Sequence, residues 1–209
     1  MMVGATTWEC NMKITNGNSK LSSSIPSINL PAGITCRADA PCCKECYAKK
    51  GNFCYKKIKD CYQANLDHYL TDPQDYFDSI IKQLKQPLII YKYVRWHSSG
   101  DIVDREYLRG MVRVAQECSE VNFLCFTKKY ELVNQWLYLE TLPENLHIVF
   151  SGWDKDWKFD NPYNLPVALV RFKNDSRDFS KCIECKGKCY ECVSCWNLKK
   201  GQTVVFDKH

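Results

Sequence analysis

A chain of 209 residues, 45% hydrophobic and 13% aromatic, can bury one core and is too apolar to be disordered. No apolar run is long enough for a membrane-spanning helix, which excludes that class. The formal charge of +5 permits a nucleic-acid partner without requiring one.

The opening stretch, MMVGATTWECNMKITNGNSK, lacks a charged region followed by an apolar one, so a cytoplasmic protein without a signal peptide is expected. Residues 1–35 are rich in Ser, Asn, Gly and Pro and read as loop, with one short strand at Ser27–Leu30. A first cysteine cluster comes next, Cys36, Cys42, Cys43 and Cys46, and then a basic segment, KKGNFCYKKIK. A helical region starts near Lys59. Inside it TDPQD resets the pattern: Asp72 suits an N-cap, Pro73 the first helical position and Asp75 the first turn. Phe77, Ile80, Ile81 and Leu84 recur at helical spacing until Pro87 ends the run.

The stretch LIIYKYVRW, Leu88–Trp96, is rich in β-branched and aromatic residues and reads as a strand. A helix is expected over Asp104–Cys118, with Leu108, Met111, Ala115 and Cys118 along one face. VNFLCF is a second strand, and Lys129–Leu139 a helix carrying Leu132, Val133, Trp136 and Leu137. Leu146–Phe150 and Val167–Phe172 are further strands. A second cysteine cluster, Cys182, Cys185, Cys189, Cys192 and Cys195, precedes a last strand at TVVF.

Strands that alternate with helices, and read as continuous apolar runs, indicate a mostly parallel sheet covered on both faces. The chain is short for a complete eight-fold barrel. The expected α/β fold is therefore a partial (β/α) barrel in a single domain, with an open doubly wound sheet as the alternative. Residues 1–61 form a cysteine-rich N-terminal segment, 62–175 the βα core and 176–209 the C-terminal cysteine cluster.

Functional groups in such folds collect at the carboxyl ends of the strands. The residues just past the strand ends are His97, Ser98, Ser99, Gly100 and Asp101, then Thr127, Lys128 and Lys129, then Ser151, Gly152, Trp153 and Asp154. His97, Asp101 and Lys128 are the candidate catalytic groups; Ser99, Gly100, Thr127 and Ser151 are candidate cofactor contacts. Asp101 is also placed to cap the next helix. The polar tip Lys173–Asp175 reads as an ordinary loop.

Nine of the 14 cysteines fall in the two clusters. A domain of this size does not need disulfides, and short turn-rich segments commonly supply thiolates to one metal centre. The C-terminal gaps of two, three, two and two residues favour an iron–sulfur cluster, of the 4Fe–4S type, over zinc. Cys185-x3-Cys189-Tyr190-x-Cys192 resembles the signature of radical S-adenosylmethionine enzymes, although Cys182 and Cys195 stand close enough to complete a closed four-thiolate site. Cys36-x5-Cys42-x3-Cys46, with Cys43 adjacent, is suited to an open site; one site shared by all nine thiols is the alternative. Cys10, Cys54, Cys61, Cys118 and Cys125 read as core or surface residues.

The ordered phrases SIPSINLPAGITC, CCKECYAKKG, RWHSSGD, FTKKYE and the cysteine run closing on CW resemble the phage and mobile-element family known as gene product 88. The resemblance covers Lys13 to Trp196. It implies a metal or iron–sulfur protein laid out as distant kin of radical S-adenosylmethionine barrels. It marks Cys36, Cys42, Cys46, His97, Gly100, Asp101, Thr127, Lys128, Ser151, Cys189, Cys192 and Cys195.

Three functions are compatible with these features. One is an iron–sulfur redox or radical enzyme, with S-adenosylmethionine as a candidate cofactor and a small-molecule substrate at the strand tips. Another is a nucleic-acid module braced by zinc or iron, in which Tyr47, Phe53 and Tyr55 interleave with lysines over residues 47–59. The last is an electron-transfer protein that serves a redox partner and has no substrate of its own.

Overall fold

The computed structural model describes residues 14–87 and 90–208. Among them, eight strands form one sheet: β1 (Ile14–Thr15), β2 (Ser27–Ile28), β3 (Tyr93–Trp96), β4 (Asn122–Thr127), β5 (Leu146–Ser151), β6 (Val167–Arg171), β7 (Ile183–Glu184) and β8 (Thr203–Asp207). The helices are α1 (Lys56–Thr71), α2 (Pro73–Leu84), α3 (Arg105–Glu117), α4 (Tyr130–Leu139) and the single turn α5 (Cys189–Cys192). No helix among the described residues is long and apolar enough to cross a membrane.

The strand order is β1-β2-β3-β4-β5-β6-β8-β7, and every pairing except β1 with β2 is parallel. The order climbs from β1 to β6 without reversing, which a doubly wound sheet would have to do. The two edge strands do not pair with each other, so the sheet is open.

Side chains alternate across a strand, and the packing obeys that alternation. Phe123 and Cys125 of β4, with Leu146, Ile148 and Phe150 of β5, pack with α1, α2, α3 and α4 in one core. Leu124 and Val149 point the other way and pack with Leu21, Ile25, Trp196 and Leu198 in a second core. The four long helices therefore cover one face, while an N-terminal loop and the C-terminal cysteine segment cover the other. Trp196 anchors that second layer. It is 2% exposed, its Nε1 donates to the Asn122 carbonyl at 3.1 Å, and its ring meets Tyr93 edge-on at 5.5 Å.

Two sequence expectations change. The helix expected near Lys59 begins at Lys56. The strand expected from Leu88 begins only at Tyr93, because the ladder to β4 starts at the pair Tyr93 and Asn122. Leu88 and Ile89 lie outside the described residues, as does Cys10. Ile90 is 93% exposed and lies outside the strand. β1 and β7, two residues each, are too short to give a periodic signal. The caps are as read: the Asp72 carboxylate accepts from the Asp75 amide at 3.0 Å, and Pro73 opens α2.

Helices α2 and α3 meet closely at Gly110. A Cβ there would come 2.0 Å from the Phe77 ring, which is held by Tyr69, Tyr76, Trp96 and Tyr107 and cannot swing away. Gly110→Ala gains about 1 kcal/mol of helix propensity and incurs overpacking of roughly 1–3 kcal/mol. Net destabilisation in urea unfolding is expected, and a smaller Phe77→Leu partner should relieve the overpacking in the double variant.

Candidate functional site

The polar groups expected at the strand tips do meet. Asp101 lies just past β3 and is 6% exposed. Its Oδ1 accepts from Thr127 Oγ1 at 2.6 Å and from the Ile102 amide at 2.8 Å; its Oδ2 accepts from the Lys128 amide at 2.9 Å. Burial raises its pKa, and these three donors, together with the Lys128 charge, oppose that rise. Lys128 Nζ reaches on to donate to Ser151 Oγ at 2.7 Å, at the end of β5. One chain of contacts thus ties the tips of β3, β4 and β5. Asp101 is not the helix cap: Asp104 is, accepting from the Tyr107 amide at 2.8 Å.

Gly100 and Ser99 serve the backbone. Gly100 has φ +84°, and a Cβ there would come 2.7 Å from Leu30 Cβ. Only glycine suits that turn. The Ser98 and Ser99 amides donate to Asn29 Oδ1 at 2.8 and 3.1 Å. Sequence reasoning missed Asn29, which is 1% exposed and also donates to Thr15 and Ser27 hydroxyls. An asparagine in a polar loop gives no sequence signal; its role comes from the β2–β3 contact.

His97 is not part of the rim network. With φ +49°, it breaks the strand alternation and turns its ring inward, where Nε2 lies 3.1 Å from Tyr107 Oη and Nδ1 lies 3.9 Å from Cys125 Sγ. Burial holds its pKa down at about 3. That environment suits a neutral core histidine better than a catalytic one.

The N-terminal thiols lie over the rim. Cys36 is within charge range of Asp101, Cys43 and Cys46, and Cys42 is within range of Lys128, Cys43 and Cys46. Their segment is tied across the strand ends. Arg37 pairs with Glu131 at 2.7 Å, Tyr47 donates to the Ser98 carbonyl at 2.7 Å, and Glu45 pairs with Lys208 beyond β8 at 2.6 Å. As a result Ser98, Ser99, Asp101 and Thr127 are buried beneath the cap rather than lining an open cleft. Burial pushes the Cys36 thiol up to about 11, against the Gly33 amide that donates to its sulfur at 3.3 Å.

The C-terminal thiols lie on the face of the sheet that the long helices leave uncovered. Around α5, Cys195 is within charge range of Cys185, Cys189 and Cys192, and Cys189 is within range of Cys185 and Cys192. Burial pushes Cys195 up to about 12 and raises Cys189, while Arg95 pulls both down. Cys182 stands apart: its charged neighbours are Asp178, Glu184 and Arg177, none of them a thiol. None of the 13 described cysteines is in a disulfide. Among the described residues, no three His, Cys, Asp or Glu side chains converge closely enough to ligate one ion as placed. The donor chemistry of the four C-terminal thiols nevertheless fits a tetrathiolate site, and a metal bound there must displace their protons.

In the basic segment 47–59, Tyr47 and Tyr55 are exposed and Phe53 is half-buried. Phe53 packs on Tyr47 at 5.8 Å and on Tyr62 at 6.5 Å, and only Tyr55, 64% exposed, is left without such a contact.

The buried His97 makes stability depend on pH. An unfolded histidine titrates near ~6.5, so between that value and about 3 the unfolded chain binds a proton that the folded chain does not. Its contribution is complete above ~6.5 and is lost on acidification at up to about 1.4 kcal/mol per pH unit. His97→Asn keeps a residue tolerant of φ +49° and removes the titration. Urea unfolding at about pH 7 and about pH 5 should show a shallower decline in the variant, by up to roughly 2 kcal/mol.

No curated protein and no solved structure matches this chain. The sequence model of the family described as gene product 88 matches residues 9–198, nearly the whole length and both cysteine clusters. The chain therefore belongs to the gene product 88 family.

Proposed function

We propose that this protein is a cytoplasmic iron–sulfur redox protein built on a partial barrel, with Cys185, Cys189, Cys192 and Cys195 holding a 4Fe–4S cluster. The observation that carries the reading is the grouping of these four thiols, at gaps of three, two and two residues, on one covered face of the sheet. The sequential strand order and the one-sided layer of long helices support the barrel kinship. Cys36, Cys42 and Cys46, with Cys43 beside them, form the second candidate site, next to the rim.

A bound cluster would supply one-electron transfer. Around the second candidate site, Asp101 fixes the β3–β4 tips, and Lys128, steadied by Ser151, presents a cation beside Cys42. That cation suits the carboxylate of S-adenosylmethionine or of an acidic substrate in an enzyme of radical type. The burial of Asp101 and Thr127 favours a second reading, an electron-transfer protein with no substrate of its own.

Anaerobic purification with iron, acid-labile sulfide and zinc assays tests the metal. Iron with matching sulfide and a paramagnetic signal on reduction is expected; zinc alone, or neither metal, would overturn the reading. Cys189→Ser and Cys195→Ser should lose most of the C-terminal metal, whereas Cys182→Ser should retain it. Deoxyadenosine formed from S-adenosylmethionine by the reduced protein would select the enzyme over the electron carrier.

A further inference from the structure

Arg95 lies on β3 with Tyr93, on the face opposite Val94 and Trp96. Its guanidinium carbon sits 4.1 Å from the centroid of Phe126, and its Nε donates to the Trp96 carbonyl at 3.3 Å. Phe126 and Tyr93 belong to the same packed layer as Cys185, Cys189 and Cys195. Arg95 is thus a half-buried cation that packs on the same layer as the C-terminal thiols, within charge range of Cys189 and Cys195.

Its partners are unusual for this chain. Arg37, Arg105, Arg109, Arg113, Arg171 and Arg177 each hold a carboxylate. Among the described residues, Arg95 is the one arginine with no ion-pair partner. A partly desolvated guanidinium without a counter-charge is costly, and sheets seldom retain one without a use. Within its charge range lie the thiols Cys189, Cys195 and Cys125, the His97 ring, and Tyr47, itself within range of Cys36, Cys42 and Cys46.

We propose that the counter-anion of Arg95 is the tetrathiolate metal centre of Cys185, Cys189, Cys192 and Cys195, and that Arg95 is the positioning residue that keeps that centre charged and bound. This rests on the reading of those thiols as ligands. Either iron–sulfur or zinc on four thiolates carries net negative charge, so the assignment does not depend on which metal is native. It also accounts for a charged residue in a layer packed with Tyr93, Leu124, Phe126 and Val149.

The test is a Co2+ titration of the anaerobic, reduced full chain, read by thiolate-to-cobalt absorption with a competing chelator. Arg95→Met keeps a long stem against Phe126 and removes the charge; Arg95→Lys keeps the charge and loses the planar fork. The Met variant should bind Co2+ about 10- to 100-fold more weakly than wild type, as for other partners of metal ligands, and Lys should recover most of the loss. Urea unfolding of the metal-free proteins verifies that the fold is retained, and Arg95→Gln replaces the Met variant if that one does not fold. Affinity within about two-fold of wild type in the Met variant would overturn the assignment. So would a Lys variant as weak as Met, or inorganic phosphate binding to wild type that disappears in Met while Co2+ binding stays. A wild-type protein that gives no thiolate absorption defeats the metal reading itself, and this assignment with it.

Discussion

A parallel sheet forms only where both of its faces are buried, and this chain has one layer of long helices. The opposite face must be covered by something else, and the remaining material is the N-terminal loop and the cysteine segment. Trp196 comes directly after Cys195 and is driven into that face, with its indole N–H satisfied by the β4 carbonyl at Asn122. Losing such an aromatic from a core typically costs ~3–5 kcal/mol. The thiols are therefore held against the sheet by ordinary hydrophobic burial, independently of any metal. The segment that seals the second core also carries the sulfur atoms.

Asp101 plays the matching part at the strand tips. A buried carboxylate is unfavourable unless it is fully hydrogen-bonded, and this one is met by a hydroxyl and two amides. Those donors come from β4 and from the turn after β3, so the charge is satisfied only when both tips are correctly placed. Lys128 and Ser151 extend the same constraint to β5. The rim is thus a structural register before it is anything else, and whatever chemistry it supports inherits its rigidity.

Much of this was legible in the sequence. The alternation of apolar strands with amphipathic helices pointed to the parallel sheet, and the TDPQD stretch marked the start of α2. The rim residues Asp101, Thr127, Lys128 and Ser151 could be found from their positions just past the ends of apolar strands. His97 could not be placed that way, because its positive φ turns the ring into the core and no local pattern announces that turn. Asn29, Arg95 and the cap contacts of Arg37 and Tyr47 were hidden for a different reason. Each matters through a partner tens of residues away, as Asn29 does through Ser98. Cys182 shows the limit of spacing arguments: it sits at an ideal gap from Cys185, yet the β7 ladder carries it away from the other thiols.

The two thiol groups differ in how firmly they are held, and the difference bears on which could exchange with the surroundings. The C-terminal group rests on a packed aromatic anchor and on a strand, β7, paired into the sheet. The N-terminal group is strung over short 3-10 turns, with no buried residue in Pro41–Glu45. Its ties across the rim include Arg37 with Glu131 and Glu45 with Lys208, both with well-exposed carboxylates, and pairs of that kind contribute little to stability. Local opening draws on the segments with the fewest buried contacts. The cap over Asp101 and Lys128 is therefore the less firmly anchored of the two. The C-terminal thiols are thus seated firmly beside Trp196, and the N-terminal thiols are held more loosely over the rim.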